Sequence, residues 1–473
     1  MSKLLDCTPP FYETLIVGGG IVGAGLFRDL SLQGVKTLLI DKKDFASQTS
    51  SKSSKMLHGG IRYLENGDFH LVWEALHEKN LWLKLAPHLC REKSFVLPIY
   101  QDSVRPLWML KAGLLIYDIL SSFENKPHKI LLKNELQKFL PDLKTEGLKG
   151  AGLYHDVYMD DIKLCLENIY DGQQNPDCRA VNYIGITKFE KKGQFFYCTL
   201  EDEIDKSTKE ILCHQLVFAT GPFTDLLLDK LIGKSWNHHL LPSQGSHLWI
   251  KKDVLNIDNP LVLTPADGRV IFVMPWDYSI LVGTTEVRPS GEFFDIKPKA
   301  QEISYLLNNL NEYFPGKNIN ESHILSSFSG IRPLVKEGPE ILGKAAREHK
   351  VFRPNHNMHV IIGGKYTTFR KMVQETAESI CHFLGRSYNS HATIDILKRP
   401  SIFPAFEDNR KLLPETIEEI IHTESIRKWE DLLFRRIGVP DVHHWRHEIP
   451  LFNFFAPFIA KYTNELGPFP FEK

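Results

Sequence analysis

Phe11–Asp41 reads FYETLIVGGGIVGAGLFRDLSLQGVKTLLID, and its reading decides the fold. A short apolar run (Leu15, Ile16, Val17) enters a glycine turn, an amphipathic segment follows, and a second apolar run closes on an acid. That order predicts strand, phosphate loop, helix and strand. Gly18, Gly20 and Gly23 fit GxGxxG: the first allows the tight turn, the second lets the backbone approach a pyrophosphate, and the third lets helix and strand pack closely. The helix start then points its unpaired N–H groups at the phosphates. Asp41 follows Gly23 by 18 residues, at a strand end where a carboxylate can accept hydrogen bonds from both ribose hydroxyls of an adenosine. A glycine turn alone often serves only as a connection. Here strand, helix, second strand and terminal acid all fall in register with a bound dinucleotide.

The remaining chain sets the bounds. Its 473 residues are enough for two or three packed units. Fifty-seven basic residues stand against 58 acidic ones, which argues against a general nucleic-acid binder. Seven cysteines (Cys7, Cys90, Cys165, Cys178, Cys198, Cys213, Cys381) are scattered without a CxxC, so neither a disulfide framework nor a zinc site is expected and a reducing cytosol fits. The N-terminal MSKLLDCTPPFYE lacks an export signal. No run of about 18 apolar residues predicts a membrane span, which leaves surface contact with a membrane.

After Asp41 comes a stretch with Ser47, Ser50, Ser51, Ser53, Ser54, Thr49, His58 and the pair Gly59–Gly60. Composition alone reads as a flexible linker. Its direct passage into LHGGIRYLE and a long amphipathic segment favours instead a backbone that wraps a flat polar cofactor. Leu71–Leu85 has helical spacing. Arg105–Leu120, RPLWMLKAGLLIYDIL, is expected as a buried helix, with a membrane-surface helix as the alternative. Asp160–Asp161 precedes a helix and reads as N-cap and first-turn charge, not as a metal site. Phe195–Leu200 and Ile211–Leu212 read as a hairpin across an acidic turn, and Leu216–Ala219 as a second parallel strand ending in Thr220 and Gly221. From Trp236 to Ser327 short strands between turns predict a mostly antiparallel sheet. SSFSGIRPLVKEG and MHVIIGGKYTTFRKMVQETAESI return to the first domain, RPSIFPAFED marks a boundary, and Pro414–Arg436 is expected as one amphipathic helix.

Taken in order, GGGIVGAG, TSSKSSKMLHGGIRYLE, ATGPF, GSHLWI, GTTE, SGIRPL and GGKYTTFRK resemble the FAD-dependent, membrane-associated glycerol-3-phosphate dehydrogenases from about Tyr12 to Met372, and EIIHTESIRKWEDLLFRRIG resembles that family's helical domain. The resemblance implies an α/β protein. A Rossmann-type FAD-binding domain (10–80, 150–235 and 328–390) would carry an inserted antiparallel-sheet domain covering the substrate (81–149 and 236–327), followed by a C-terminal helical domain (400–473). It implies FAD as cofactor and oxidation of sn-glycerol 3-phosphate to dihydroxyacetone phosphate, the C2 hydride passing to the flavin. It also implies a membrane quinone as electron acceptor and peripheral attachment to the cytoplasmic membrane face; the oligomeric state is left open by the sequence, a homodimer being one option.

Carried over residue by residue, Gly18, Gly20, Gly23, Asp41, Ser51, Ser53, Ser54, His58, Gly59, Gly60, Gly221, Gly364, Lys365 and Thr367 would hold FAD. Arg62, Tyr63, Thr285, Arg332 and Lys365 would meet the substrate. His247, Arg332 and Lys365 would be the catalytic set, with no metal. A planar guanidinium suits a phosphate dianion, a lysine adds a point charge, and a histidine titrates in the range of a base for the C2 hydroxyl. Departures from the family pattern are Gln244 before GSH in place of Lys, Glu286 after GTT in place of Asp, and a short C-terminal region. Rival readings are a glycerophosphate oxidase that delivers electrons to oxygen, an amine oxidase of the same flavin fold, and an inactive flavin-binding scaffold.

Overall fold

The computed structural model describes residues 8–291, 293–336 and 349–471. Cys7 and the end of the SSFSGIRPLVKEG stretch lie outside them. Two compact units are present. Of the described residues, the first is built from 8–51, 160–243, 331–336 and 349–471, the second from 52–159, 244–291 and 293–330.

In the first unit, strand β1 (Phe11–Val17), helix α1 (Ile21–Leu32) and strand β2 (Thr37–Asp41) form as the opening stretch predicts. The sheet runs Arg179–Asn182, β2, β1, Thr208–Phe218, Met358–Gly363, His349–Asn355. All neighbours in that path are parallel except the last pair. Strand order therefore reverses beside β1, and a doubly wound sheet offers its ligand crevice at the carboxyl ends of the strands flanking such a switch. Near-continuous apolar runs follow from burial on both faces: Leu15, Ile16, Leu38, Leu39, Leu216, Val217, Val360 and Ile361 are all buried. Phe195–Asp202 pairs antiparallel with Thr208–Phe218, forming the expected hairpin.

The second unit holds a largely antiparallel sheet that includes Ser279–Gly283, Ile271–Pro275, Leu261–Leu263, Cys90–Tyr100, Leu148–Met159 and Met56–Leu57. Side chains alternate across it. Phe95, Leu97 and Ile99 enter one apolar cluster and Val96 another, as a strand period of two requires when both faces are covered.

Three expectations are corrected. Residues 52–80, assigned to the first domain, group with the second unit, because Met56–Leu57 pairs with the Leu148–Met159 strand and Val72 and Leu76 join its core. The C-terminal 400–471 has its own apolar cluster around Trp429 and Phe455 but groups with the first unit. The single helix expected over Pro414–Arg436 is broken: an α-helix ends at Thr423, Ser425 has φ 56°, and a π-helical segment spans Asp431–Ile437. Arg436 donates to the Glu424 carbonyl (2.8 Å), drawing that oxygen away from a continuing helix.

The Leu107–Leu120 helix forms, yet only one face is buried. Leu110, Leu114 and Tyr117 face the core while Trp108 (73% exposed), Leu115, Ile116 and Ile119 lie on the surface.

Candidate functional site

The first unit carries a dinucleotide cradle at its switch point. Gly18 has φ +112°, and a Cβ there would come within 2.5 Å of the Ala219 carbonyl oxygen. A Cβ on Gly23 would sit 1.8 Å from the Gly18 oxygen, so only glycine lets α1 lie this close to β1. Gly20 is the α1 N-cap and supplies no side chain, and the first turn holds no acid. The positive helix end thus carries no competing negative charge, which suits a pyrophosphate. Ser50 Oγ accepts the Ile21 N–H (2.9 Å), tying the serine stretch to this helix start.

Asp41 accepts N–H bonds from Gly19 on Oδ2 (2.7 Å) and from Lys43 on Oδ1 (2.8 Å). A carboxylate has about four acceptor sites, so two remain for ribose hydroxyls. Burial pushes this carboxyl up to about 7 against the pull of the two N–H bonds. Two more turns stand at the carboxyl ends of the neighbouring strands. One carries Gly221 at φ +53°. The other carries Gly364, whose φ is +83° and whose Cβ would strike Met372 Sδ at 2.1 Å, with Lys365 and the buried Thr367 before a helix lacking a side-chain cap. These features fit a bound dinucleotide. Arg332 is half-buried, with Nη1 3.5 Å from Ser243 Oγ. Ser51 donates to the Gln48 carbonyl (3.0 Å).

The second unit carries the other named residues. His247, buried, exchanges a hydrogen bond between Nε2 and Ser54 Oγ (2.9 Å) and stacks on Phe328 at 4.9 Å and 14°. Gly283 of GTT is glycine because a Cβ would meet His247 Cδ2 at 2.1 Å. Ser53 Oγ accepts the Lys55 N–H (2.9 Å). His58 is half-buried beside Gly59 and Gly60; Gly60 has φ +75°, and its missing Cβ makes room for the Tyr63 ring. Arg62 is exposed and donates to the Gly268 carbonyl at 3.4 Å.

Two buried polar networks behind these residues escaped the sequence reading. Glu302 accepts from Ser246 Oγ (2.7 Å), Gln244 Nε2 (2.8 Å) and Thr285 Oγ1, gathering GSH, GTT and the departing residue Gln244 on one carboxylate. Its only sequence signal is a place three residues into a helix, where it also accepts the Lys299 N–H (3.0 Å). The Gly59 N–H donates to Tyr117 Oη (2.9 Å), which donates to Asp156 (2.8 Å), which faces Lys79 Nζ at 3.6 Å. Burial pushes Asp156 up to about 6, opposed by Lys79. Asp160 accepts the Lys163 N–H (2.9 Å), the N-cap role expected of it. Among the described residues no group of three His, Cys, Asp or Glu forms a metal site, and the six described cysteines are buried free thiols.

A family model described as FAD-dependent oxidoreductase matches residues 13–393. A glycerol-3-phosphate dehydrogenase of Synechocystis is 30% identical over 404 residues, covering 80% of this chain and 71% of that protein. The aerobic glycerol-3-phosphate dehydrogenase of Bacillus subtilis is 30% identical over 380 residues, covering 80% and 68%. An alpha-glycerophosphate oxidase of Streptococcus pneumoniae is 32% identical over 331 residues, covering 68% of this chain and 54% of that protein. The solved glycerol-3-phosphate dehydrogenase of Bacillus halodurans, complexed with FAD, superposes with TM-score 0.74 at 22% identity over 97% of this chain and 91% of that one, a shared fold.

Proposed function

The chain belongs to the family of FAD-dependent oxidoreductases, and we propose from that premise that it oxidises sn-glycerol 3-phosphate at C2 to dihydroxyacetone phosphate. The observation that carries this reading is the pair of relatives named glycerol-3-phosphate dehydrogenases, each matching 80% of the chain at 30% identity. When bound, FAD supplies the acceptor for the hydride leaving C2. The protein's residues do the rest. The glycine cradle and Asp41 hold the dinucleotide. Arg332 and Lys365 neutralise the substrate phosphate, Arg332 through two parallel N–H bonds. Arg62, Tyr63 and Thr285 complete substrate recognition. His247 takes the C2 hydroxyl proton, its ring held in orientation by Ser54 and Phe328.

We assign the electrons to a membrane quinone. The protein would attach peripherally to the cytoplasmic face of the cell membrane through the exposed apolar face of the Leu107–Leu120 helix, and a homodimer is one assembly open to it. No described helix is long and apolar enough to cross a membrane. A second reading is favoured by the streptococcal relative named an oxidase: electrons pass to oxygen and hydrogen peroxide accumulates. Turnover with glycerol 3-phosphate in air decides between them. Reduction of a soluble quinone analogue without peroxide supports the quinone assignment, and stoichiometric peroxide overturns it.

A further inference from the structure

In the first unit, two consecutive arginines of the C-terminal segment converge on one buried carboxylate. Arg436 donates from Nη1 to Asp44 Oδ2 (2.6 Å) and from Nη2 to Oδ1 (3.1 Å), Arg435 Nε donates to Oδ2, and Asn182 adds a bond to Oδ1 (2.8 Å). Arg435 also donates to Asp431 (2.6 Å), which accepts from Tyr183 (2.7 Å). Asp44, Asp431 and Arg436 are fully buried. Burial pushes the Asp44 carboxyl up, and attraction by Arg436 and then Arg435 outweighs it, leaving it at about 2. In an α-helix successive side chains diverge by about 100°. Both arginines lie in the π-helical segment Asp431–Ile437, and their long side chains reach the same carboxylate.

Asp44 belongs to the loop that closes over the glycine turn. The adjacent Phe45 ring fills the space a Gly19 Cβ would take, 2.4 Å away, and the Ala46 N–H donates to the Gly19 oxygen (3.0 Å). Gly19 in turn donates to Asp41 (2.7 Å). Apolar residues often replace a buried ion cluster at no loss of stability, so net stabilisation is a weak account of this one; in some proteins such clusters instead fix one geometry.

We propose that Arg435 and Arg436 are positioning residues for FAD: by clamping Asp44 they hold the Asp41–Ala46 loop, and through it Gly19 and the Asp41 carboxylate, in the form that receives the dinucleotide. The C-terminal segment is then part of the cofactor site. This rests on the reading that the cradle binds FAD. The test is the rate of FAD release from holoprotein on dilution, followed by the rise of flavin fluorescence, with melting temperature and visible spectrum measured alongside. Asp44→Asn should release FAD at least tenfold faster and alter the flavin absorption bands, and Arg436→Lys should fall between it and wild type. Should Asp44→Asn fail to fold, Arg435→Lys is read in its place. Trp429→Phe, which disturbs the same C-terminal segment in its apolar cluster, should lower the melting temperature and keep the wild-type release rate. Wild-type release from the clamp variants, or equal acceleration by Trp429→Phe, overturns the clamp. A wild-type protein that takes up no FAD overturns the cradle reading and the clamp with it.

Discussion

Lowering the pH through about 7 should loosen FAD, because an ionised Asp41 would accept ribose hydroxyls more strongly than the neutral acid. Burial raises this group to about 7 in the free protein. A raised folded value means that Asp41 stabilises the free fold fully below its ordinary value of 3.8 and that this contribution is lost as pH rises through 7. Bound hydroxyls favour the ionised form, so FAD binding releases a proton below pH 7, and affinity should fall by up to about tenfold per pH unit there. Titration of apoprotein with FAD from pH 8 to 5 checks this, and Asp41→Ala should abolish the dependence while weakening binding by about 1.5–3 kcal/mol. Arg332→Ala should lower kcat/KM for glycerol 3-phosphate by two to three powers of ten, about 3–4 kcal/mol, with FAD content unchanged. Arg332→Lys should already be impaired, since an ammonium lacks the planar fork; steady-state kinetics on both variants measures it. The tight turn at Gly18 and the close helix–strand approach at Gly23 were legible in the sequence because they follow from local backbone geometry. Glu302 and Asp44 were not, since their partners arrive from distant segments; Arg436 lies 392 positions from Asp44.

Elements were legible where periodicity met a start or stop signal. β1, α1 and β2 form where the apolar runs and glycines put them. Gly23→Ala should prevent formation of a stable holoprotein, because its Cβ cannot coexist with the Gly18 oxygen 1.8 Å away without parting helix from strand; soluble yield and flavin content report it. The Pro414–Arg436 stretch misled because its apolar spacing continues past Thr423 while buried hydrogen bonding to Glu424 breaks the backbone. The Leu107–Leu120 helix misled in the opposite way. Its composition suits a core helix, but only Leu110, Leu114, Tyr117 and Asp118 are buried. Trp108→Ser with Ile119→Ser should reduce co-sedimentation with anionic lipid vesicles at low salt and leave turnover with a soluble acceptor near wild type. Equal sedimentation of variant and wild type would move the docking surface elsewhere.

At the scale of the whole molecule, the two compact units were legible as two kinds of strand arrangement, strands joined through a helix in one and short strands between Gly, Pro and Asp turns in the other. Their boundary was not, because residues 52–80 carry the sequence signature of a cofactor loop while Met56–Leu57 hydrogen-bonds into the second sheet. The central claim is that one chain couples a bound flavin to a phosphorylated alcohol. The most direct measurement is the visible spectrum of purified protein under anaerobic conditions, before and after addition of glycerol 3-phosphate. The purified protein should be yellow, with a flavin band that bleaches with glycerol 3-phosphate and persists with free glycerol, because an uncharged alcohol would leave Arg332 and Lys365, the cations proposed to hold the phosphate, unmatched. A flavin that stays oxidised with glycerol 3-phosphate, or bleaches equally with glycerol, would contradict it.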